Sequence, residues 1–189
     1  MRISDRLLQR ARRVQFMLTG VPSVELVRSY GATIGDRVAF ARGVEIDTEF
    51  AWLVTIEDGA VLAPGVYVLA HDAAIKRLTG KTLAAEVRIC EEAYVGAHSI
   101  ILPGVTVGRN AVIGAGSVVT REVPPATVWA GVPARQLRTA EELAEAHRPF
   151  IDDAIAAGMF GWSQATRHTA PGRREIRARI GAAGRAYVE

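Results

Sequence analysis

The fold is decided by ILPGVTVGRNAVIGAGSVVT, residues 101–120. Ile101, Val107, Ile113 and Val119 fall six apart, and the same register running backwards takes in Val95 and Ile89 without a break. Four positions after each of these aliphatics stands a small or β-branched residue: Ala93, Ser99, Val105, Ala111, Ser117 and Val123. A helix repeats at about 3.6 residues and a flat strand at two, so neither accounts for a period of six. A chain that lays down a short strand, turns a corner and repeats does account for it, and three such sides close a triangular coil. The stretch predicts a mainly β protein, a parallel β-helix prism.

Upstream, the register continues through Ile34, Phe40 and Ile46, slips by four residues at Trp52 to Thr55, and resumes at Ile56, Leu62 and Val68, making twelve hexads. Stacking then places Ile34, Ile56, Ile89 and Val107 in one column, each buried aliphatic contributing roughly 1.5 to 3 kcal/mol of transfer free energy. Gly35, Gly96, Gly108 and Gly114 follow the aliphatic directly, where a corner or a close backbone approach favours a residue without Cβ. Cys90 occupies that place in its own hexad and reads as a small structural residue rather than a nucleophile. Between Val68 and Ile89 the register breaks, so residues 72–88 must leave the coil as a loop, and a long loop on a rigid scaffold is more often functional than not.

Three parts are expected. Residues 1–28 form an amphipathic helix and linker: Ile3, Leu7, Ala11, Val14 and Leu18 recur at helical spacing with arginines between them, and the apolar face should pack on the body of the protein, a basic helix on a membrane surface being the alternative. Residues 29–138 form the β-helix. In 139–189, Thr139 with Glu142 makes a capping box, Pro149 interrupts the helix that it opens, FIDDAIAAG supplies another turn or two, and Ile176 and Ile180 belong to a short terminal helix. Composition, at 49% hydrophobic and 23% charged, is that of a globular protein with one sizeable core. No run approaches the roughly 18 to 20 apolar residues of a membrane span, and no signal-peptide core follows the basic start, so a cytoplasmic location is expected. The single cysteine excludes an intrachain disulfide. Five arginines against Asp5 in residues 1–20, and six against two acids from Arg167 onward, put the net charge of +3 at the ends. No nucleic-acid partner is expected.

The run AYVGAHSIILPGVTVGRNAVIGAGSVVTREVPPATVWAGVPARQLR resembles the hexapeptide-repeat acyltransferases, and in particular the sugar O-acetyltransferases, including the maltose, galactoside and polysaccharide enzymes. The resemblance covers Ile34 to about Arg138. It implies a left-handed β-helix, against the right-handed preference of most parallel crossovers. It also implies a homotrimer with active sites between subunits, acetyl-coenzyme A as acyl donor, no metal, and a histidine before the protruding loop as general base. His71, at the end of VYVLAHD, stands in that place. The positions matching cofactor contacts are Ala97, Ala115, Thr120, Arg121, Arg135 and Arg138, and Tyr94 stands where an active-site tryptophan often occurs.

Chemistry agrees with these roles. Guanidinium groups meet phosphate oxygens with charge-assisted bidentate bonds, and coenzyme A carries a pyrophosphate and a 3′-phosphate. A thioester is already activated, so a base need only remove the proton of an attacking hydroxyl, a task suited to an imidazole with an ordinary pKa near 6.5. Asp72 is a candidate to orient that imidazole or to bind acceptor, Arg77 and Lys76 to meet an acidic sugar, and His98 to line a groove or interface. Relative to the galactoside and maltose enzymes, Ala41 replaces an asparagine, an acceptor-side acidic pair falls on Thr48 and Glu49, and Asp72 replaces the usual proline after the histidine. These departures argue against a simple galactoside or maltose acceptor and leave the donor chemistry untouched. Three other readings remain: N-acylation of an amino sugar, a metal-dependent carbonic anhydrase, which needs three histidine ligands where the ladder has only His71 and His98, and a non-catalytic scaffold.

Overall fold

The computed structural model describes residues 3–156 together with 174, 177 and 178. The chain falls into two compact units, 1–140 and 141–189, so the N-terminal helix and the β-strands share one unit. Helices α1 (Ile3–Thr19) and α2 (Val24–Ser29) precede the strands. The first coil is β1 (Thr33–Ile34), β2 (Ala39–Phe40) and β3 (Glu45–Ile46); the second is β4 (Val54–Ile56), β5 (Val61–Leu62) and β6 (Tyr67–Val68). The protruding segment follows as β7 (His71–Asp72), α3 (Lys76–Thr79) and β8 (Leu83–Ala84). The third coil is β9 (Val87–Ile89), β10 (Tyr94–Val95) and β11 (Ile100–Ile101), and the fourth β12 (Thr106–Val107), β13 (Val112–Ile113) and β14 (Val118–Val119). A closing hairpin, β15 (Thr127–Gly131) and β16 (Ala134–Thr139), leads into α4 (Ala140–Ala156).

All twelve hexad residues, eleven aliphatics and Phe40, lie in strands. Parallel pairing stacks the coils into three faces, β1-β4-β9-β12, β2-β5-β10-β13-β15 and β3-β6-β11-β14, with β16 antiparallel to β15 at the edge of the second. Ile34 pairs with Ile56, Ile56 with Ile89, and Ile89 with Val107, the column that the spacing predicts. Ile56, Leu62, Val68, Ile89, Val95, Ile101, Val107, Ile113 and Val119 have no exposed surface. The small residues four places on are buried at the corners because a larger side chain would not fit inside the triangle: Ala93, Ser99, Ala111 and Ser117 are fully enclosed. The two serines satisfy their hydroxyls on the Gly114 carbonyl, at 2.9 Å from Ser99 and 2.6 Å from Ser117. At Gly96, a Cβ would lie 2.6 Å from the Ala115 amide nitrogen of the next coil, which explains the missing side chain.

A stack of parallel strands leaves a row of unpaired backbone groups at each end. At the first coil α2 covers it: Leu26 and Val27 are buried, and the Arg28 guanidinium donates to the Ile34 carbonyl at 2.6 Å and the Gly35 carbonyl at 3.0 Å. At the other end Trp129 pairs with Ile113 and caps the core, and the β15–β16 hairpin folds over. The four-residue slip is a short 3-10 turn, Ala51–Leu53, that leaves Trp52 65% exposed.

Two expectations are corrected. Helix α4 begins directly after Thr139 but runs through Pro149 to Ala156, since a proline forfeits one helical hydrogen bond without ending the helix when the flanking turns hold. From Leu7 onward, helix α1 does not turn its apolar face to the body; Gln9, Arg12 and Phe16 are half-buried, and Leu7, Val14 and Leu18 are exposed. Ile176, Ile180 and His168 lie outside the described residues.

Candidate active site

The site is built where the chain leaves the second coil. After Val68 the backbone does not turn the next corner but runs outward through β7 and returns through β8, with His71 paired to Ala84 and the Ala85 amide donating to the Ala70 carbonyl at 2.9 Å. The protruding segment is thus a short antiparallel hairpin whose base fixes the backbone of His71. Its outer part, from Asp72 to Lys81, is exposed throughout.

The imidazole is held from below by Asp47, which directly follows the hexad residue Ile46 in the previous coil. Its carboxylate is almost fully buried, with 2% of the side chain exposed. One oxygen accepts from the amides of Glu49 and Phe50, both at 3.1 Å; the other accepts from the Ala70 amide at 3.0 Å and is hydrogen-bonded to His71 Nδ1. Burial alone would raise the pKa of this carboxyl, but the His71 bond, the Phe50 and Ala70 amides and the charge interaction with His71 outweigh it and hold the group below the usual carboxylate range. A carboxylate ionised at neutral pH can only accept, so Nδ1 must carry a proton. In the neutral imidazole, Nε2 is then the free base.

The rest of the surroundings keep Nε2 accessible. The Phe50 ring lies against the imidazole, centroids 4.8 Å apart and tilted by 35°. Nε2 faces an open cleft of about 360 Å³ bounded by Glu45, Thr48, Glu49, Tyr67 and Leu69. Glu49 Oε2 stands 3.9 Å from Nε2, too far for a direct hydrogen bond, and its side chain is 77% exposed. This arrangement can take a proton from a hydroxyl at Nε2 while offering Glu49 to a second polar group of the same molecule.

Of the four residues expected on the acceptor side, only Glu49 lines this cleft. Asp72 does not orient the imidazole: it is exposed, and its carboxylate turns back to accept from the Ala74 amide at 2.7 Å. The nearer, buried carboxylate of Asp47 takes that part. Arg77 lies exposed on α3, and Tyr94 sits on the second face between Val61 and Val112, where it is 44% exposed. His98 is exposed at a corner of the third coil, its backbone left-handed at φ 57°.

The expected cofactor residues flank the third face on two different edges. Ala97 and Ala115 lie one above the other where the chain turns from the second face to the third, with the Gly116 amide bonded to the Ala97 carbonyl at 2.7 Å. Thr120 is on the far edge, the edge of Asp47, three coils further on. At about 4.8 Å per coil that is roughly 14 Å along the prism. Arg121 follows it and stacks over Trp129, 5.8 Å from the ring centroid, and Arg135 and Arg138 project from β16 as exposed side chains, Arg135 touching its neighbouring Ala134 carbonyl at 2.8 Å. Exposed guanidinium groups suit the anionic head of coenzyme A, and the small side chains of Ala97 and Ala115 suit its narrow arm. None of these six residues lines the His71 cleft. Cys90 is no competitor as a nucleophile, since burial and the neighbouring Glu57 raise its thiol pKa.

Comparison with known proteins agrees with this geometry. The family model for bacterial transferase hexapeptide (six repeats) matches residues 86–121. Over 113 residues, covering 58% of this chain and 56% of the relative, the sequence is 38% identical to the galactoside O-acetyltransferase of Escherichia coli (strain K12). Over 137 residues it is 30% identical to a Staphylococcus aureus (strain Mu50) protein that bears an acetyltransferase name without a stated acceptor, covering 60% of this chain and 68% of that one. The chain spans about half the length of the first curated relatives it matches. A solved galactoside acetyltransferase in complex with coenzyme A superimposes with a TM-score of 0.52 at 28% identity, over 64% of this chain and 71% of that one. The shared fold is the left-handed parallel β-helix.

Proposed function

Since this chain belongs to the hexapeptide-repeat acyltransferase family, we propose that it transfers an acetyl group from acetyl-coenzyme A to a hydroxyl of a sugar, sugar nucleotide or polysaccharide precursor, with His71 as general base. The observation that carries this reading is the hold of buried Asp47 on Nδ1 of His71, which in the neutral ring makes Nε2 the accepting nitrogen, beside an open cleft. Acetyl-coenzyme A supplies an acyl group already activated as a thioester, held through Arg121, Arg135, Arg138 and Thr120 and along the low corner of Ala97 and Ala115. The chain's own residues then handle the proton. Nε2 takes it from the acceptor hydroxyl as that oxygen attacks, and Asp47, in charge contact with the ring, stabilises the imidazolium. Return of the proton to the departing sulfur resets the base. Glu49, at 3.9 Å from Nε2, is placed to hold a neighbouring hydroxyl of the acceptor.

Two further points belong to the same reading. The base and the corner of Ala97 and Ala115 lie on opposite edges of one face, and the cleft is open to solvent. The edge of a second copy laid against the first would close it, which favours a homotrimer with sites between subunits. No helix among the described residues is long and apolar enough to cross a membrane. The test is release of free thiol from acetyl-coenzyme A across a panel of sugar and amino-sugar acceptors, with product mass identifying the acylated group. His71→Ala should lose about 10² to 10⁴ in rate while still binding coenzyme A. Equal turnover in that variant would remove His71 from the chemistry.

A further inference from the structure

The N-terminal helix is docked back to front. On α1, Gln9, Arg12 and Phe16 are half-buried, and their spacing of three and four marks one face. Phe16 lines a small cavity of about 80 Å³ with Pro22, Leu26 and Tyr30, and Arg13 stacks on Tyr30 at 5.8 Å. Leu7 precedes Phe16 by nine residues, about two and a half helical turns, and therefore lies diametrically opposite. With Leu7 run Ala11, Val14 and Leu18, and all four are exposed, Leu7 by 61%, Val14 by 53% and Leu18 by 79%. Met17, 80% exposed, and Leu8, 54% exposed, widen the stripe. A helix that only braced the body would present its polar side to water.

What covers this stripe is indicated by charge. Residues 1–20 hold five arginines against one aspartate. Arg10 is exposed and stands three residues from Leu7 and four from Val14, so it borders the stripe along its length. A second copy laid stripe to stripe would bring the two Arg10 side chains together. An anionic surface does the reverse, neutralising Arg10 while the leucines and valine enter the boundary between headgroups and acyl chains. We propose that α1 seats the protein on an anionic phospholipid surface, parallel to the membrane plane, with Leu7, Val14, Met17 and Leu18 inserted and Arg10 at headgroup level. The prism then works beside the bilayer, where a glycan acceptor carried on a lipid would lie. The inference does not depend on the reaction at His71.

Co-sedimentation of the full chain with vesicles tests it, using phosphatidylglycerol mixed with phosphatidylcholine against phosphatidylcholine alone. Partitioning should require the anionic lipid and weaken as salt is raised. Leu7→Gln, Val14→Gln and Leu18→Gln together should reduce it at least tenfold, and Arg10→Gln alone about fivefold, the loss expected for one arginine at the surface. The arginine variant leaves every apolar residue in place and decides the matter if the triple variant misfolds. No partitioning of the native chain, undiminished partitioning of both variants, or a change in native assembly mass caused by the triple substitution without lipid would each overturn the proposal, the last in favour of a second copy.

Discussion

Replacing Asp47 by asparagine changes one atom and separates the two parts that this residue plays. The carboxylate accepts four hydrogen bonds: one oxygen from Glu49 and Phe50, the other from Ala70 and His71 Nδ1. Asparagine can keep its oxygen toward Glu49 and Phe50, but its NH₂ then points at the Ala70 N–H and the imidazole. The imidazole can answer by moving its proton to Nε2, so that Nδ1 becomes an acceptor; the Ala70 N–H cannot. The variant should therefore lose stability through one buried amide without a partner, about 1–3 kcal/mol. It should also lose most of its acetyl-transfer rate, because the nitrogen that faces the cleft is now protonated, an effect of about 10² to 10⁴. Nitrogen-15 NMR of the imidazole reads the tautomer without any acceptor, thiol release reads the rate, and coenzyme A binding should be unchanged. An Asp47→Asn protein with Nε2 still unprotonated and turnover within a fewfold of native would refute the reasoning.

Other consequences can be measured on the folded chain alone. The pKa of Asp47 is depressed on folding, so it contributes stability that is fully present above the ordinary carboxylate value near 3.9 and is lost as pH falls through the lower native value; in denaturant titrations, the gap between native and Asp47→Asn proteins should narrow as pH falls below about 4. Gly96→Ala places a methyl 2.6 Å from the Ala115 amide nitrogen and the Ile113 carbonyl oxygen, both backbone atoms that cannot step aside, and should cost about 1–3 kcal/mol by thermal melting. Ile89→Ala empties the middle of a fully buried column and should cost about 2–5 kcal/mol in the same assay. Gly116→Ala is the control: its φ of 68° strains an alanine, but open space surrounds the added methyl, so its cost should be about 1 kcal/mol, the backbone penalty alone.

The prism was legible because its physics is periodic. A side chain every six residues had to point inward, and the structure puts Ile34, Ile56, Ile89 and Val107 in one column for that reason. The place of His71 was legible for the complementary reason: it stands where the period fails. Asp47 was not, although a signal existed. It occupies the position directly after a hexad aliphatic, which elsewhere holds glycine, alanine, cysteine, leucine, threonine or, after Ile56, Glu57, and a carboxylate buried at a corner facing the next coil needs partners. Sequence distance hid them, because Asp47 and His71 are 24 residues apart and become neighbours only when the slip at residues 51–53 sets the second coil's register.

The first helix shows the opposite limit. Its 3.6-residue pattern announced an apolar face, and the nearest large surface was its own prism, yet contact is made through Phe16, which falls outside the pattern. Periodicity reports that a face must be covered and says nothing of what covers it. In the coils the two questions coincide, since each rung's neighbour is the next rung of the same chain. In α1 they part, because Pro22, Leu26 and Tyr30 offer a pocket suited to one aromatic ring rather than a groove for a row of leucines. The helix is fixed at the end nearest the prism by that ring and by the Gly43 amide bonded to the Gly20 carbonyl at 2.5 Å, which leaves the stripe free to face outward.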